Sequence, residues 1–162
     1  MKIGRITVSD RASGGMYEDR SGPEIERILR KEFGAETRFL VAVLPDEQEQ
    51  IAMTIREFAD VQHCDLIVTT GGTGISPRDV TPEATRAVIE RELPGFGEMM
   101  RAHSFPVIPT AVLSRATAGT RGRSLIMNLP GKPSAVAECL AVLAGAIREG
   151  VAHLRGEDPH RK

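Results

Sequence analysis

Directly after the apolar run DLIVTT the chain sets Gly71, Gly72 and Gly74 around Thr73, then Arg78 and Asp79 ahead of TPEAT. Three glycines in four positions suit a backbone that must approach a ligand closely, with N–H groups free to point at an anion. Four other polar clusters punctuate the chain: Ser9-Asp10-Arg11, Asp46, Ser114-Arg115, and NLPGK from Asn128 to Lys132. Together they offer two carboxylates, Asp46 and Asp79, with Arg11, Arg78, Arg115 and Lys132 as cations. Magnesium takes oxygen ligands and usually only one or two protein carboxylates, the rest being waters and phosphate oxygens. Guanidiniums on phosphates with a metal between them is what phosphoryl or nucleotidyl transfer asks for. The P-loop pattern is excluded, because GGTGISPRD lacks its lysine, and the dinucleotide fingerprint does not fit SDRASGG after the first apolar run.

Each cluster also has a purely structural reading. Asp46 stands where a helix N-cap belongs, with Glu49 three residues on, a variant capping box before an apolar helix. Asp79 has a weaker structural claim, because Thr81 is itself a good N-cap and Pro82 suits the first helical position. The glycines could form a plain turn, and any single arginine could be solvated.

The elements that carry these clusters alternate. KIGRITVS, TRFLVAVL, DLIVTT, TAVLSR and SLIMNLP read as strands, with AGTRG as a turn between the last two. PEIERILRKEFG, PDEQEQIAMTIREFAD, TPEATRAVIERE, PGFGEMMRAHSF and a long segment from about Pro133 to Leu154 read as helices. Residues SDRASGGMYEDRSG read as irregular. Alternation of this kind predicts an α/β fold of three layers, a mostly parallel sheet with helices on both faces. DLIVTT, apolar and β-branched throughout, belongs at its centre. The polar clusters then converge beyond the carboxyl ends of the strands, where open α/β sheets bind ligands.

Composition narrows the rest. At 162 residues the chain fits one domain, placed over residues 1–155, with 156–162 as a flexible tail. A net charge of −1 gives no global field for nucleic acid or an anionic membrane. No apolar run approaches the roughly 20 residues of a spanning helix, and the start MKIGRITVSD lacks a secretory apolar region, so a cytoplasmic protein is expected. The two cysteines, Cys64 and Cys139, and the four histidines are too scattered for a structural zinc site, and Cys139 sits in an apolar helical pattern as an inert thiol.

In this order, SDR, PDE, TTGGTG, PRDVTPEAT, PGFGE, LSR and NLPGKP resemble the molybdenum-cofactor biosynthesis proteins of the MogA/MoaB type, which are also similar to the G domain of gephyrin. The likeness runs from about Ile3 to the final helix. It implies the Rossmann-like molybdopterin-binding fold and a molybdopterin adenylyltransferase, which uses magnesium and ATP and forms a homotrimer. It also implies handing its product to a separate molybdate-insertion protein. Carried onto this chain, it implies Asp46 and Asp79 as catalytic, magnesium-holding carboxylates. Gly71, Gly72, Thr73, Gly74, Asn128, Pro130 and Gly131 would hold the nucleotide. Ser9, Asp10, Arg11, Arg78, Thr81, Ser114 and Arg115 would line the molybdopterin site. Two other readings are a non-catalytic molybdopterin carrier and an enzyme like the competence-damage proteins, although RDVTPEA, PGFGE and LSR fit the molybdopterin branch better.

Overall fold

A computed structural model describes residues 1–157. Lys2–Val8 form strand β1, buried from Ile3 onward, and one helical turn, α1 (Asp10–Ser13), follows. That turn lies in the segment expected to be irregular, and the Ser9 hydroxyl stabilises it by accepting the Ala12 N–H at 3.2 Å. Then come α2 (Ser21–Phe33), β2 (Arg38–Leu44) and α3 (Gln48–Arg56), which continues through a π-helical turn, Glu57–Val61. Strand β3 (Leu66–Thr70) is buried at every position. Helices α4 (Thr81–Arg86) and α5 (Pro94–Ser104) flank a short strand, β4 (Arg91–Glu92). Strands β5 (Ala118–Arg121) and β6 (Ser124–Leu129) and helix α6 (Pro133–Leu154) complete the order.

The six strands lie in the order β2-β1-β3-β6-β5-β4. The first four are parallel, and β5 and β4 each run antiparallel to the preceding neighbour. Side chains alternate between two cores, as a pleated sheet requires. Leu66, Val68, Leu125 and Met127 pack with Ile25, Leu29, Leu140 and Leu143 under α2, α5 and α6. Ile67 and Ile126 pack on the other face with Ile51, Ile55 and Ala84 from α3 and α4. This is the expected three-layer α/β architecture, and truncating a fully buried side chain such as Leu66 to alanine would cost about 2–5 kcal/mol.

Three further elements differ from the sequence reading. The segment read as strand TAVLSR is a 3-10 helix, Pro109–Leu113, that buries no residue, whereas the supposed turn AGTR is β5. A turn of only Gly122 and Arg123 joins β5 to β6, with Gly122 at φ 52. Helix α4 stops at Arg86 instead of running to Glu92, because the Glu90 N–H and Leu93 N–H donate to the Thr120 and Ala118 carbonyls at 2.7 and 2.8 Å. Sheet pairing there outcompetes helix propensity.

The tail expected from 156 begins with Gly156 and Glu157 folded back on α6, the Glu157 N–H donating to the Ala152 carbonyl at 3.0 Å. Residues 158–162 lie outside the described residues. Both cysteines are buried, and burial pushes each thiol up to about 11. Among the described residues no helix is long and apolar enough to cross a membrane.

Candidate functional site

Strand order reverses direction at β1: the chain passes from β1 to β2 on one side and reaches β3 on the other. The crevice beyond the carboxyl ends of β1 and β3 is therefore a topological switch point. Two glycines make the turn there possible. Gly71 has φ 94 and its Cα faces the Val8 carbonyl so closely that a Cβ would lie 2.3 Å from that oxygen. Gly72, at φ 62, would place a Cβ 2.4 Å from the Thr81 hydroxyl and 3.0 Å from Asp46 Oδ1. No other residue type fits either position without moving backbone or both side chains.

The turn is anchored at both ends and open in the middle. Gly71 N–H donates to the Leu129 carbonyl at 3.2 Å, and the Thr81 N–H returns to the Gly72 carbonyl at 3.1 Å. Between these anchors the N–H groups of Gly72, Thr73 and Gly74 make no hydrogen bond among the described residues. Thr73 is buried and its glycine neighbours are half-buried, a setting in which unpaired donors are rare. Three consecutive donors without a protein partner are an arrangement that can receive an anion.

Two carboxylates lie against this turn. Asp46, after β2, reaches Gly72 with Oδ1, while its Oδ2 accepts the Asp10 N–H at 2.9 Å. Asp79 packs over Gly74, where a Cβ would stand 2.9 Å from its Oδ2, and that oxygen accepts the Ser76 N–H at 2.8 Å. In each carboxylate Oδ1 has no hydrogen bond among the described residues. Burial, with the negative charges of Asp10 and Asp79 nearby, holds the Asp46 carboxyl above its ordinary range, against the Asp10 N–H and Arg78.

Neither capping assignment made from sequence holds. Helix α3 is capped at Glu47, one residue later than expected, and no side chain makes a cap bond there. Asp46 is claimed instead from 36 residues away, in an exchange completed by its own N–H donating to Asp10 Oδ1 at 3.0 Å. Thr81 lies inside α4 and donates its hydroxyl to the Gly71 carbonyl at 2.9 Å, so it ties the turn to the helix. Asp79 is not spare: its side chain closes the loop on Ser76.

The remaining candidates divide among several places. Arg78 forks onto Asp10 through Nε at 3.1 Å and Nη2 at 2.9 Å, and Nη2 also reaches Glu47 at 3.0 Å. Arg78 foremost, with the Asp46 N–H, holds the Asp10 carboxyl below its ordinary range. Ser9 and Arg11 line a cavity of about 330 Å³ bounded by Gly71, Gly131 and Lys132. Ser114 lines a second one, of about 250 Å³, on the other side of Gly131 and Lys132. Pro130 accepts the Thr70 hydroxyl at 2.7 Å, and Gly131 passes so close to Gly71 that a Cβ would lie 3.4 Å from its Cα.

Asn128 and Arg115 do not face the crevice as expected. Asn128 is fully buried, its amide donating to Thr69 at 3.0 Å and Thr85 at 2.8 Å and accepting the Thr117 N–H at 3.3 Å. With every group occupied, it links the sheet to α4 instead of offering an edge to a nucleotide. Ser114-Arg115 precedes an antiparallel strand, so it reaches the same end of the sheet from upstream, and Arg115 binds the back of the glycine loop. Tyr17 and Arg20, which join Arg11 in the larger cavity, carry no sequence signal, because their segment reads as irregular. Sequence reasoning also misses Glu47 and Glu83, the partners of Arg78 and Arg115, for which helix-start glutamates give no signal beyond capping.

Residues 4–149 match the family described as a probable molybdopterin binding domain. The chain is 51% identical over 144 residues to the molybdopterin adenylyltransferase of Haemophilus influenzae, covering 86% of this chain and 71% of that protein. It is 48% identical over 145 residues to the molybdopterin adenylyltransferase of Helicobacter pylori, covering 90% and 82%. Its fold is similar to the molybdopterin biosynthesis enzyme MoaB of Thermus thermophilus, with a TM-score of 0.89, 39% identity, and coverage of 96% and 97%.

Proposed function

Because the chain belongs to the molybdopterin-binding family of molybdenum-cofactor biosynthesis proteins, we propose that it is a molybdopterin adenylyltransferase, a nucleotidyltransferase that moves AMP from ATP to molybdopterin. The observation that carries this reading is the run of three unpaired N–H groups, Gly72 to Gly74, set between the carboxylates of Asp46 and Asp79. Backbone donors of this kind suit phosphate oxygens, and Arg11, Arg20 and Lys132 around the adjoining cavity suit a polyanion.

In the proposed reaction an oxygen of the terminal phosphate of molybdopterin attacks the α-phosphorus of ATP. The bond between that phosphorus and the α,β-bridging oxygen breaks, and the electron pair leaves with pyrophosphate. A phosphate monoester is already anionic at neutral pH, so no general base is required. The work left to the chain is positioning and charge compensation. The donor set fits magnesium: two aspartates, each with one oxygen fixed by a backbone N–H and the other open, are hard ligands in the number that ion usually takes from protein. Magnesium bound by Asp46 and Asp79 would neutralise charge on the triphosphate.

The exposed side chains of Phe105, Val107, Ile108, Val112 and Leu113, at the end of α5 and along the 3-10 helix, suit a subunit interface, and the assembly we propose is a homotrimer. We place the protein in the cytoplasm, passing its product to a separate molybdate-insertion protein.

The test is to incubate the protein with ATP, molybdopterin and magnesium and to measure pyrophosphate together with adenylylated molybdopterin. Stoichiometric formation of both, abolished by EDTA and restored by magnesium, is expected. Tight molybdopterin binding without either product would replace the enzyme with a carrier. Light scattering of the purified protein tests the trimer.

A further inference from the structure

We infer that Arg115 is a positioning residue, which sets Asp79 and the glycine loop from behind, and that it contacts neither substrate. The function of that loop rests on the adenylyltransferase reading, but the geometry does not. Arg115 donates its backbone N–H to the Thr73 carbonyl at 2.8 Å, Nε to the Gly74 carbonyl at 2.7 Å and Nη2 to the Asp79 carbonyl at 2.6 Å. Nη1 is taken by the carboxylate of Glu83, from α4. Every nitrogen of the guanidinium is therefore committed to this loop or to the helix that follows it.

The two carbonyls that Arg115 bridges bracket residues 74–79. A planar fork holding both ends of that segment fixes its span, much as a bidentate guanidinium fixes a carboxylate. Within it the Asp79 N–H donates to the Ser76 carbonyl at 2.9 Å and the Asp79 carboxylate accepts the Ser76 N–H, so the loop that Arg115 spans is the loop that aims Asp79. Glu83 keeps the guanidinium from swinging out: burial pushes its carboxyl up, but Arg115, together with the Glu83 backbone N–H and Arg86, holds it below the ordinary range. The surface Arg115 shows to solvent supports the same conclusion. It borders a shallow cavity with Arg86, Glu92, Arg101 and Thr117, whereas neither cavity adjoining Gly131 includes it.

Arg115→Ala, Arg115→Lys and Glu83→Gln, made in the full chain, separate the alternatives through three measurements. These are amide hydrogen exchange at Ser76 and Asp79, molybdopterin affinity without nucleotide, and kcat. For Arg115→Ala, exchange at the two amides should quicken at least about tenfold as the loop opens locally. Affinity for molybdopterin should stay within about twofold, and kcat should fall about a hundredfold, the cost of an ångström of misplacement. Added guanidinium ion should restore part of both the protection and the rate. Arg115→Lys, with one point charge in place of the fork, should fall between, and it carries the test with Glu83→Gln if the alanine variant does not fold.

Unchanged exchange at Ser76 and Asp79 overturns the inference, whether kcat falls or not. Molybdopterin binding weakened tenfold or more with protection intact would make Arg115 a substrate contact instead. Exchange and binding need no turnover, so a wild-type protein that transfers no adenylyl group would remove the proposed activity without touching this result.

Discussion

The two carboxylates at the glycine turn are held in opposite ways. Asp79 is set from within its own loop, by a backbone N–H three residues away and by an arginine that grips its carbonyl. Asp46 is set across the crevice, by a backbone exchange with Asp10, which is itself held by Arg78 from the glycine-loop side. The first hold is local: its Arg115 contact is partly buried, and its Ser76 contact is exposed. The second crosses three loops through an exposed ion pair, with 53% and 44% of its two side chains accessible. Such a pair is weak and screened by salt. The site therefore joins one carboxylate held within its own loop to one whose placement depends on solution conditions.

Several experiments would break or sharpen this contrast. The largest effect is expected for Asp79→Asn. Asparagine can still accept the Ser76 N–H, so the melting temperature should hold while turnover drops about a thousandfold, as for the loss of a key charge-stabilising group. Turnover within threefold of wild type would remove Asp79 from the proposed metal site. Asp46→Asn should cost less, about a hundredfold, because Asp10 still presents a carboxylate on that side. A loss equal to that of Asp79→Asn would show that Asp10 lends no help.

Arg78→Ala removes the brace but no carboxylate and should lower kcat about tenfold, if Asp46 is the metal ligand proposed above, as loss of an outer partner of such a ligand does. The gap from wild type should narrow at 1 M salt, where the Debye length falls to about 3 Å, and kcat assays across a salt series would show it. A gap that stays constant with salt would mean that Arg78 acts on substrate instead.

The smallest effects are on stability and have opposite signs. The raised Asp46 carboxyl means the folded state binds its proton more tightly than the unfolded chain, so wild-type stability falls as pH rises from about 3.9 through the folded value. Asp46→Asn should melt about 1–2 °C higher than wild type at pH 7, with no difference once pH lies below that window. The lowered Asp10 carboxyl contributes stability that is complete above about 3.9 and lost as pH falls through its folded value. Asp10→Asn should therefore melt below wild type at pH 7, and the deficit should close on acidification. Thermal melts at pH 7 and pH 3 check both.

What could be read from sequence follows from how far each interaction reaches. Strand β3 and helix α6 were legible because their apolar patterns are contiguous, and the glycine turn because three glycines in four positions have few other uses. The helix cap assigned to Asp46 failed because its partner, Asp10, is remote in sequence and no local pattern encodes that. Strand β5 was missed because Thr120 is its only strong strand former, beside Ala118, Gly119 and Arg121, and β6 supplies the ladder that makes them a strand. The same non-local logic turned Arg115 and Asn128, expected to touch ligands, into supports. The motifs did mark the residues that gather at the crevice. Which of them face it, and which stand behind, was decided by partners from other elements.

The hairpin of β5 and β6 has a further consequence for what the protein can tolerate. Ala118 pairs with Met127 and Arg121 with Ser124, and this ladder delivers Arg115 to the site end while its turn lies at the far end of the sheet. It works as a ruler. One residue added to the turn beyond Arg121 can be absorbed there as a longer loop. One residue added between Ala116 and Ala118 would shift the arginine by about 3.4 Å and carry it to the wrong face. Room for insertion in this chain is thus set by the side of the ladder on which it falls, and distance from the crevice is a poor guide to it.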